Sequence, residues 1–178
     1  MAFYNRGIAH VVRSDIDRAF TDFNEAIRLD STDIDRYRWR GNVNFYNGNY
    51  EAAASDLARV VLQSSDDADA VLWLFISRSH ANKQSKMELE VTAATLNQAA
   101  WPYAAVELFL GRRTPESVLA AAGKPDQRCE AQFYIGAWHV LRGDRVAARA
   151  PLTAVVDACS RKSMECHGAQ AELKRLGQ

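Results

Sequence analysis

Apolar residues recur every three to four positions along most of the chain, and the first such segments come in pairs. The opening segment places Tyr4, Ile8 and Val11 on one face of a helix. Asp15 is a suitable N-cap for a second helix, whose apolar stripe extends to Leu29. The pattern therefore predicts two helices joined by a short turn.

The same pair returns 34 residues later. Equivalent positions carry similar residues in the two copies: Gly7 and Gly41, Ala19 and Ala53, Phe23 and Leu57, Ala26 and Val60. A third, diverged copy near the C-terminus keeps Gly136, Ala148 and Leu152 at the same internal spacing. The small residues allow two helix backbones to approach closely, and the large residue fills the space beyond. A fixed period of this length indicates an array of helix-turn-helix repeats.

These segments resemble the tetratricopeptide repeat family, whose unit is a Trp-x2-Leu-Gly-x2-Tyr helix followed by an Ala-x3-Phe-x2-Ala helix. The first copy reads Phe3-x2-Arg6-Gly7-x2-His10 and then Ala19-x3-Phe23-x2-Ala26, and the second reads Tyr37-x2-Arg40-Gly41-x2-Asn44 and then Ala53-x3-Leu57-x2-Val60. The resemblance implies an all-α fold, a right-handed α-α superhelix of about eleven antiparallel helices without a sheet. The alternative is an irregular helical bundle, which would not need the period.

We expect one solenoid domain over residues 1–178. Its predicted parts are repeats at about 1–32, 33–66 and 67–98, an irregular helical insert at 99–124, a C-terminal repeat at 127–160 and a closing helix at 163–177. The insert is needed because Gly41 and Gly136 lie 95 residues apart, which is not a multiple of the period.

Several helix ends are marked by the sequence. The second helix of the third repeat is expected from Lys83 to Gln98. Gly111 should end the first helix of the insert, and Thr114 should begin its second. Arg175 favours the C-terminal dipole of the closing helix. Pro151 falls inside a predicted helix and should kink it.

The order of these parts resembles a narrower group, the bacterial periplasmic lipoproteins of the NlpI type. The matching residues are Trp101, Tyr103, Val106, Glu107, Leu110 and Gly111 in the insert, and Phe133, Tyr134 and Gly136 in the closing repeat. Members of the group are adaptors that bind other proteins, including proteases and cell-wall enzymes, and NlpI itself is a dimer. The resemblance therefore implies a protein-binding role and allows a homodimer.

Composition narrows the classes of partner. Lys plus Arg and Asp plus Glu number 22 each, so no overall field attracts nucleic acid or an anionic membrane surface. No apolar run approaches the length of a membrane-spanning segment. The first repeat begins almost at Met1, so we expect the natural chain to extend upstream. Compartment depends on that upstream sequence, and a periplasmic or exported location is slightly favoured over a cytoplasmic one.

Candidate chemistry is sparse. The chain has no Gly-rich phosphate loop, no H-E-x-x-H and no C-x-x-C. Ser77, Ser79 and His80 lie on one predicted helix with no acid nearby, and Cys166 and His167 fit no zinc spacing. We therefore predict no enzymatic activity, no metal and no cofactor.

The first helix of each pair should line the concave side of the solenoid. Its predicted groove residues are Tyr4, Ile8, Arg38, Asn42, Phe45, Tyr46, Leu72, Ile76 and His80. This set is aromatic and aliphatic with one arginine, which favours an extended or helical apolar protein segment as ligand. The structural alternative is that Phe45 and Tyr46 pack against the third repeat.

Three hypotheses for function follow. The favoured one is a protein-interaction adaptor that binds a peptide or protein segment in the groove. A self-associating homodimer scaffold is the second, and an accessory subunit of an enzyme, without chemistry of its own, is the third.

The three cysteines allow several states. Cys129 begins a predicted helix and Cys159 ends its antiparallel partner, so a Cys129–Cys159 disulfide is preferred, with Cys166 free. A Cys159–Cys166 bridge is the runner-up, and three reduced cysteines in a cytoplasmic protein remain an alternative.

Overall fold

The computed structural model describes residues 1–83 and 86–177, and this part of the chain contains eleven α-helices and no strand. The helices are α1 (Ala2–Val12), α2 (Ile16–Leu29), α3 (Ile34–Tyr46), α4 (Tyr50–Gln63), α5 (Ala68–His80), α6 (Lys86–Ala93), α7 (Tyr103–Leu110), α8 (Pro115–Ala121), α9 (Pro125–Leu141), α10 (Arg145–Ala158) and α11 (Met164–Leu176). The prediction of an all-α protein with about eleven helices is confirmed.

Successive helices pack on one another along the N-terminal part of the chain, from α1 to α5. After the short helices α6, α7 and α8, the chain forms the α9–α10 pair and then α11. The last helix does not simply extend this series. It packs on α9 and α10 and also returns to α3, more than one hundred residues earlier in the chain.

Close approach within each repeat occurs where the sequence predicted it. A Cβ atom added at Gly7 would lie 2.9 Å from Cε1 of Phe23, and one at Gly41 would lie 3.0 Å from Cγ of Leu57. At Gly136 the same added atom would lie 2.5 Å from Leu152. In all three pairs the large residue is fully buried against the glycine. Each glycine therefore provides the space that its partner side chain fills.

Helix ends in the third repeat and in the insert can be compared with those that the sequence predicted. The partner helix expected from Lys83 to Gln98 is only α6, which ends at Ala93, and residues 84 and 85 lie outside the described part of the chain. Gly111 ends α7 with a φ of 78°, and Thr114 opens α8 with a capping box, as expected. Pro151 lies within α10, which continues as one helix around it.

A disulfide joins α9 to the end of α10. It links Cys129 to Cys159, whose Cα atoms lie 5.9 Å apart, and this is the pairing that the hairpin geometry favoured. Cys166, the third cysteine, is free and buried, so the alternative bridge to Cys159 is not the one present. The disulfide therefore links α9 and α10 covalently at one end of the pair.

Candidate functional site

The nine residues predicted to line the groove do lie on α1, α3 and α5, but most of them are not open to solvent. We call this set the groove face. Five of its residues are buried, namely Asn42, Phe45, Tyr46, Leu72 and Ile76. The other four, Tyr4, Ile8, Arg38 and His80, are half-buried. The expectation of an open groove along α3 and α5 is therefore corrected, since other parts of the chain cover it.

Helix α11 covers the groove face next to α3. The hydroxyl of Tyr46 donates a 3.0 Å hydrogen bond to the carbonyl oxygen of Met164, in the first turn of α11. The side-chain amide of Asn42 donates to the sulfur atom of the same methionine. The two contacts join residues that lie 118 and 122 positions apart along the chain.

Arg175 fixes the other end of α11 to the end of α3. Its guanidinium donates to the carbonyl oxygens of Phe45 at 2.6 Å and Tyr46 at 2.9 Å. These carbonyls belong to the last turn of α3, where a cation also offsets the negative end of the helix dipole. The guanidinium also lies over the rings of Phe45 and Tyr50, with centroid distances of 5.5 and 5.2 Å.

Gly168 allows the middle of α11 to approach the aromatic core. The rings of Trp73 and Phe133 stack with centroids 4.7 Å apart. A Cβ atom added at Gly168 would lie 2.7 Å from the Phe133 ring and 2.8 Å from the Trp73 ring. Any other residue at this position would push α11 away from α5 and α9.

His80 on α5 lies in close contact with Glu172 on α11. Nε2 of His80 lies 3.0 Å from Oε1 of Glu172, a side chain that is only 1% exposed. The contact is not a well-aligned hydrogen bond, because His80 Nε2 has no hydrogen-bond partner of good geometry among the described residues. Arg175 lies 3.2 Å from the same carboxylate, and Tyr50 stacks on the His80 ring at 4.4 Å. The buried carboxylate of Glu172 is therefore compensated by the charge of Arg175.

Arg38 was the cation expected to face a ligand, and the structure engages it within the chain. It lies 2.5 Å from Asp67, which is the N-cap of α5, and 3.9 Å from Asp69. The arginine thus holds α3 against the start of α5.

Three acidic side chains converge beneath α11, from α5, α9 and α11 itself. Burial, and after it the nearby charge of Asp69, together raise the pKa of Glu165 to about 8. Burial likewise raises the pKa of Asp69 to about 6, although the hydroxyl of Tyr134 donates a hydrogen bond to that carboxylate and opposes the shift. The pKa of Glu130 is also raised by burial, and this carboxylate accepts a 2.5 Å hydrogen bond from Trp101.

Burial is the largest cause of the raised pKa at all three carboxyl groups of this cluster. Raised carboxyl pKa values also occur at active sites, but the cavities around α1–α2, α4–α5 and α11 are lined by other residues. Within residues 1–83 and 86–177, no group of three or more His, Cys, Asp or Glu side chains is arranged to hold a metal ion. The hydroxyl of Ser77 donates to the carbonyl of Trp73 in its own helix, so it is not paired with His80.

One part of this region stays open. A cleft of about 170 Å³ lies between the turn that joins α1 to α2 and the outer side of α11. Its lining residues are Ser14, Ile16, Tyr46, Asn47, His167, Gln170, Ala171 and Lys174. Tyr46 thus belongs both to the groove face and to this cleft.

Sequence reasoning did not identify the residues of α11 that close the groove face. Gly168 was the one of these residues that the sequence could have indicated, because a glycine inside a predicted helix is unfavourable unless close packing requires it. The sequence predicted only that Arg175 would interact with the dipole of its own helix. In the structure its guanidinium donates hydrogen bonds to carbonyl oxygens at the end of α3. Glu165 lies in the first turn of α11, and no local sequence pattern indicates that its side chain is buried.

No model of a known protein family matches the chain. In the part of the chain that the structure describes, no helix is both long and apolar enough to cross a bilayer.

Proposed function

We propose that the chain is a non-enzymatic protein-interaction module of the tetratricopeptide type, with its repeats arranged as a right-handed superhelix. Its ligand is a peptide or protein segment that binds beside the groove face. The residues that contact this segment line the open cleft between the α1–α2 turn and α11.

The observation that carries this proposal is that the groove face already holds a helix. Tyr46 donates to the backbone of α11 at Met164, and Arg175 of α11 donates to the backbone of α3. The Tyr46 contact reaches a backbone atom and so does not depend on the side chains of the bound segment, whereas the Arg175 contact requires a cation on that segment. A face that holds one helix in this way is suited to protein segments and offers little to a small metabolite.

The open cleft has the chemistry of a protein-binding surface. Ile16 and Ala171 supply apolar contacts, Asn47 and Gln170 supply amides, and Lys174 supplies one charge at the rim. The cleft is small, so it suits one or two anchoring side chains of a larger segment.

Binding to a partner tests the proposal. The full chain should capture a partner, and the affinity of the purified pair should then be measured for the wild type and for Asn47→Arg. Asn47 is exposed at the end of α3 and lines the cleft, so an arginine there fills the cleft without disturbing the core. We expect about a tenfold loss of affinity, which corresponds to about 1.4 kcal/mol.

Val146→Arg is the matched control, because Val146 is 85% exposed on α10 and does not line the cleft. Equal affinity of all three proteins would place the binding site elsewhere. Light scattering on the same samples tests the homodimer alternative, which requires twice the chain mass for the wild type and a loss of that mass in Asn47→Arg.

The disulfide adds a proposal about compartment. Disulfides persist in oxidising environments, so the Cys129–Cys159 bridge supports the periplasmic or exported location that the narrower family resemblance implies.

A further inference from the structure

Helix α11 covers the groove face without satisfying all of its polar groups. Within residues 1–83 and 86–177, four buried side-chain atoms have no hydrogen-bond partner, and all four belong to α3 or α5. Three of them belong to residues that contact α11, namely Oδ1 of Asn42, Nε1 of Trp73 and Nε2 of His80. Buried polar groups of folded proteins nearly always have partners. The face beneath α11 therefore offers hydrogen bonds that α11 does not use.

The mismatch is plainest at the first turn of α11. Asn42 is fully buried, and its Nδ2 donates to the sulfur atom of Met164, which is a weak acceptor. A thioether has no donor, so Oδ1 of Asn42 receives no hydrogen bond from this side chain. A glutamine at the same position would present both an acceptor and a donor to the Asn42 amide.

Docking of α11 also buries a carboxyl group without a cation. Glu165 is 6% exposed, lies near the carboxylate of Asp69 and forms no ion pair among the described residues. Glu172 differs, because Arg175 lies 3.2 Å from its carboxylate. Burial of a charge without a partner is unfavourable, so Glu165 opposes the position that α11 takes.

The disulfide gives α11 a defined point about which to move. Cys159 is bonded to Cys129 on α9, and residues 160–163 form a turn between this bridge and α11. The hydroxyl of Ser163 accepts a hydrogen bond from the backbone N–H of Cys166, so α11 has its own N-cap. Opening of α11 as one unit therefore leaves the link between α9 and α10 in place.

Three positions of α11 show what the groove face accepts. At Met164 the face binds a backbone carbonyl through the hydroxyl of Tyr46. At Gly168 it requires a glycine, because the Phe133 ring would lie 2.7 Å from an added Cβ. At Arg175 it binds a guanidinium through the carbonyl oxygens that end α3. A different helix with these three features would make the same contacts.

We propose that α11 is an autoinhibitory element, which a helix of another protein replaces on the groove face. The replacing helix has an amide side chain, a glycine and an arginine at the spacing of residues 164, 168 and 175. Its amide side chain pairs with both polar atoms of Asn42, and this difference allows it to compete with α11. The inference goes beyond the cleft proposed above, since it concerns the surface that α11 covers.

The α11 helix of a second copy of the chain is not the occupant that these contacts favour. It has the same methionine at position 164 and leaves the same atom of Asn42 without a partner. The chain's own α11 also has the higher effective concentration, because it is tethered beside the face. An identical helix from outside therefore has no advantage, and the replacing helix must differ from α11 in sequence.

Labelled peptides of residues 160–177 serve as probes, with Cys166→Ser in each peptide to prevent exchange with the disulfide. Their affinity for the oxidised full chain is measured by fluorescence anisotropy. The Met164→Gln peptide should bind about fivefold more tightly than the parent peptide, because it pairs with both atoms of the Asn42 amide. The Gly168→Leu peptide should bind about tenfold more weakly or worse, because its side chain meets the Trp73 and Phe133 rings.

Variants of the full chain test whether its own α11 competes with the peptide. Gly168→Leu weakens the hold of that helix, so the apparent affinity for the parent peptide should rise about tenfold or more, in proportion to the open fraction. Gly123→Leu is the matched control and should leave the affinity unchanged, because a Cβ there has only the Gln127 side chain nearby. Asn47→Arg should also leave it unchanged, since Asn47 lines the separate cleft. The two proposals can therefore fail independently.

Hydrogen exchange of the wild type measures the opening of α11 directly. The amides of α11 should exchange together and about tenfold faster or more than those of α9 and α10, because opening one helix costs less than global unfolding. Met164→Gln in the full chain should slow the exchange of α11 about fivefold, because it satisfies Asn42.

Four outcomes would overturn the proposal. They are a Met164→Gln peptide that binds no more tightly than the parent, equal affinities of the Gly168→Leu and Gly123→Leu chains, exchange of α11 only at the rate of α9 and α10, and a wild-type dimer that Gly168→Leu dissolves. If Gly168→Leu fails to fold, Arg175→Ala takes its place, because Arg175 is partly exposed and its loss removes the hydrogen bonds to the end of α3.

Discussion

The N-terminal helices α1 to α5 and the C-terminal helices α9 to α11 are held together in different ways. In the N-terminal part, contacts recur at fixed spacing: Gly7 with Phe23 and Gly41 with Leu57, Arg6 with Asp22 and Arg40 with Asp56. The C-terminal part repeats the glycine contact at Gly136 and Leu152, but it adds contacts that occur once, such as the Cys129–Cys159 bridge and the approach of Gly168 to two rings.

This difference has an energetic consequence. Stability of a repeat array is shared among many similar nearest-neighbour contacts. The contacts that occur once in the C-terminal helices have no such neighbours to share their loss, so a change at one of them should cost more than a single change in the repeats. The predictions below test this order, beginning with the largest effect.

Loss of the disulfide should be the most costly change. The bridge closes a loop of 30 residues, and in the chain-entropy model its removal lowers the free energy of unfolding by about 3–4 kcal/mol. Urea denaturation of the oxidised chain and of the Cys129→Ser, Cys159→Ser double variant measures this difference. Peptide mapping without reductant should return the 129–159 pair and a free Cys166. A Cys159–Cys166 bridge or three free thiols would contradict the prediction.

Replacement of Gly168 should rank second. In Gly168→Leu the new side chain meets the Trp73 and Phe133 rings, so α11 must move or the stacked rings must separate. We expect a loss of about 3 kcal/mol, at the upper end of the usual overpacking range. Gly123→Leu is the control, because a Cβ there has only the Gln127 side chain within 4 Å, at 3.8 Å. Equal melting temperatures for the two variants would mean that α11 is not seated on the rings.

Within the repeats, Gly41→Leu should cost about 2 kcal/mol by overpacking. The added Cβ meets Leu57, Asp56 and the backbone carbonyl of Ala53, at 3.0, 3.3 and 3.4 Å. Gly7→Leu should cost less, because its three nearest atoms all belong to one side chain, the Phe23 ring, and none to the backbone. Thermal melting of the two variants measures the difference, and a neutral Gly41→Leu would show that the repeats are misassigned.

Local sequence patterns predicted most of the fold. Apolar spacing, Gly111, Thr114 and the 34-residue period gave the helices and the close approaches, since each of these depends on residues within one repeat. Helix α6 was predicted too long, because a run with Leu89, Val91 and Leu96 looks helical although the chain turns after Ala93.

The candidate site was less predictable for a physical reason. Burial of Phe45 and Tyr46 depends on α11, which lies about 120 residues further along the chain, and no period connects the two. Arg38 looked like a ligand-binding cation because its acceptors, Asp67 and Asp69, belong to the next repeat. A polar residue on a predicted groove face can thus be engaged by either a ligand or a neighbouring helix, and only tertiary packing distinguishes these.

The smallest of the predicted effects is that of a one-unit pH step on the carboxyl groups beneath α11. The pKa of Glu165 is about 8 in the folded chain because burial disfavours its charged form, whereas a glutamate in the unfolded chain has its ordinary pKa of 4.5. Between these values the folded state binds a proton that the unfolded state does not bind. Stability is therefore full below about pH 4.5 and is lost as the pH rises to about 8. Asp69 acts in the same direction up to about pH 6, but 26% of its side chain is exposed, so Glu165 should dominate.

Glu165→Gln isolates this contribution, because glutamine has nearly the same shape and does not ionise. The wild type should lose about 1 kcal/mol of unfolding free energy between pH 6 and pH 7, since one pKa unit corresponds to about 1.4 kcal/mol and other groups add their own smaller slopes. The variant should be flatter over this range and more stable than the wild type at pH 8. Glu116→Gln on the exposed surface of α8 is the control, because the pKa of Glu116 is lowered, which confines its influence to more acid pH. A pH dependence that survives in Glu165→Gln would mean that this carboxyl group is already charged and solvated, and that α11 lies less deeply against α5 and α9 than its contacts with Trp73 and Phe133 require.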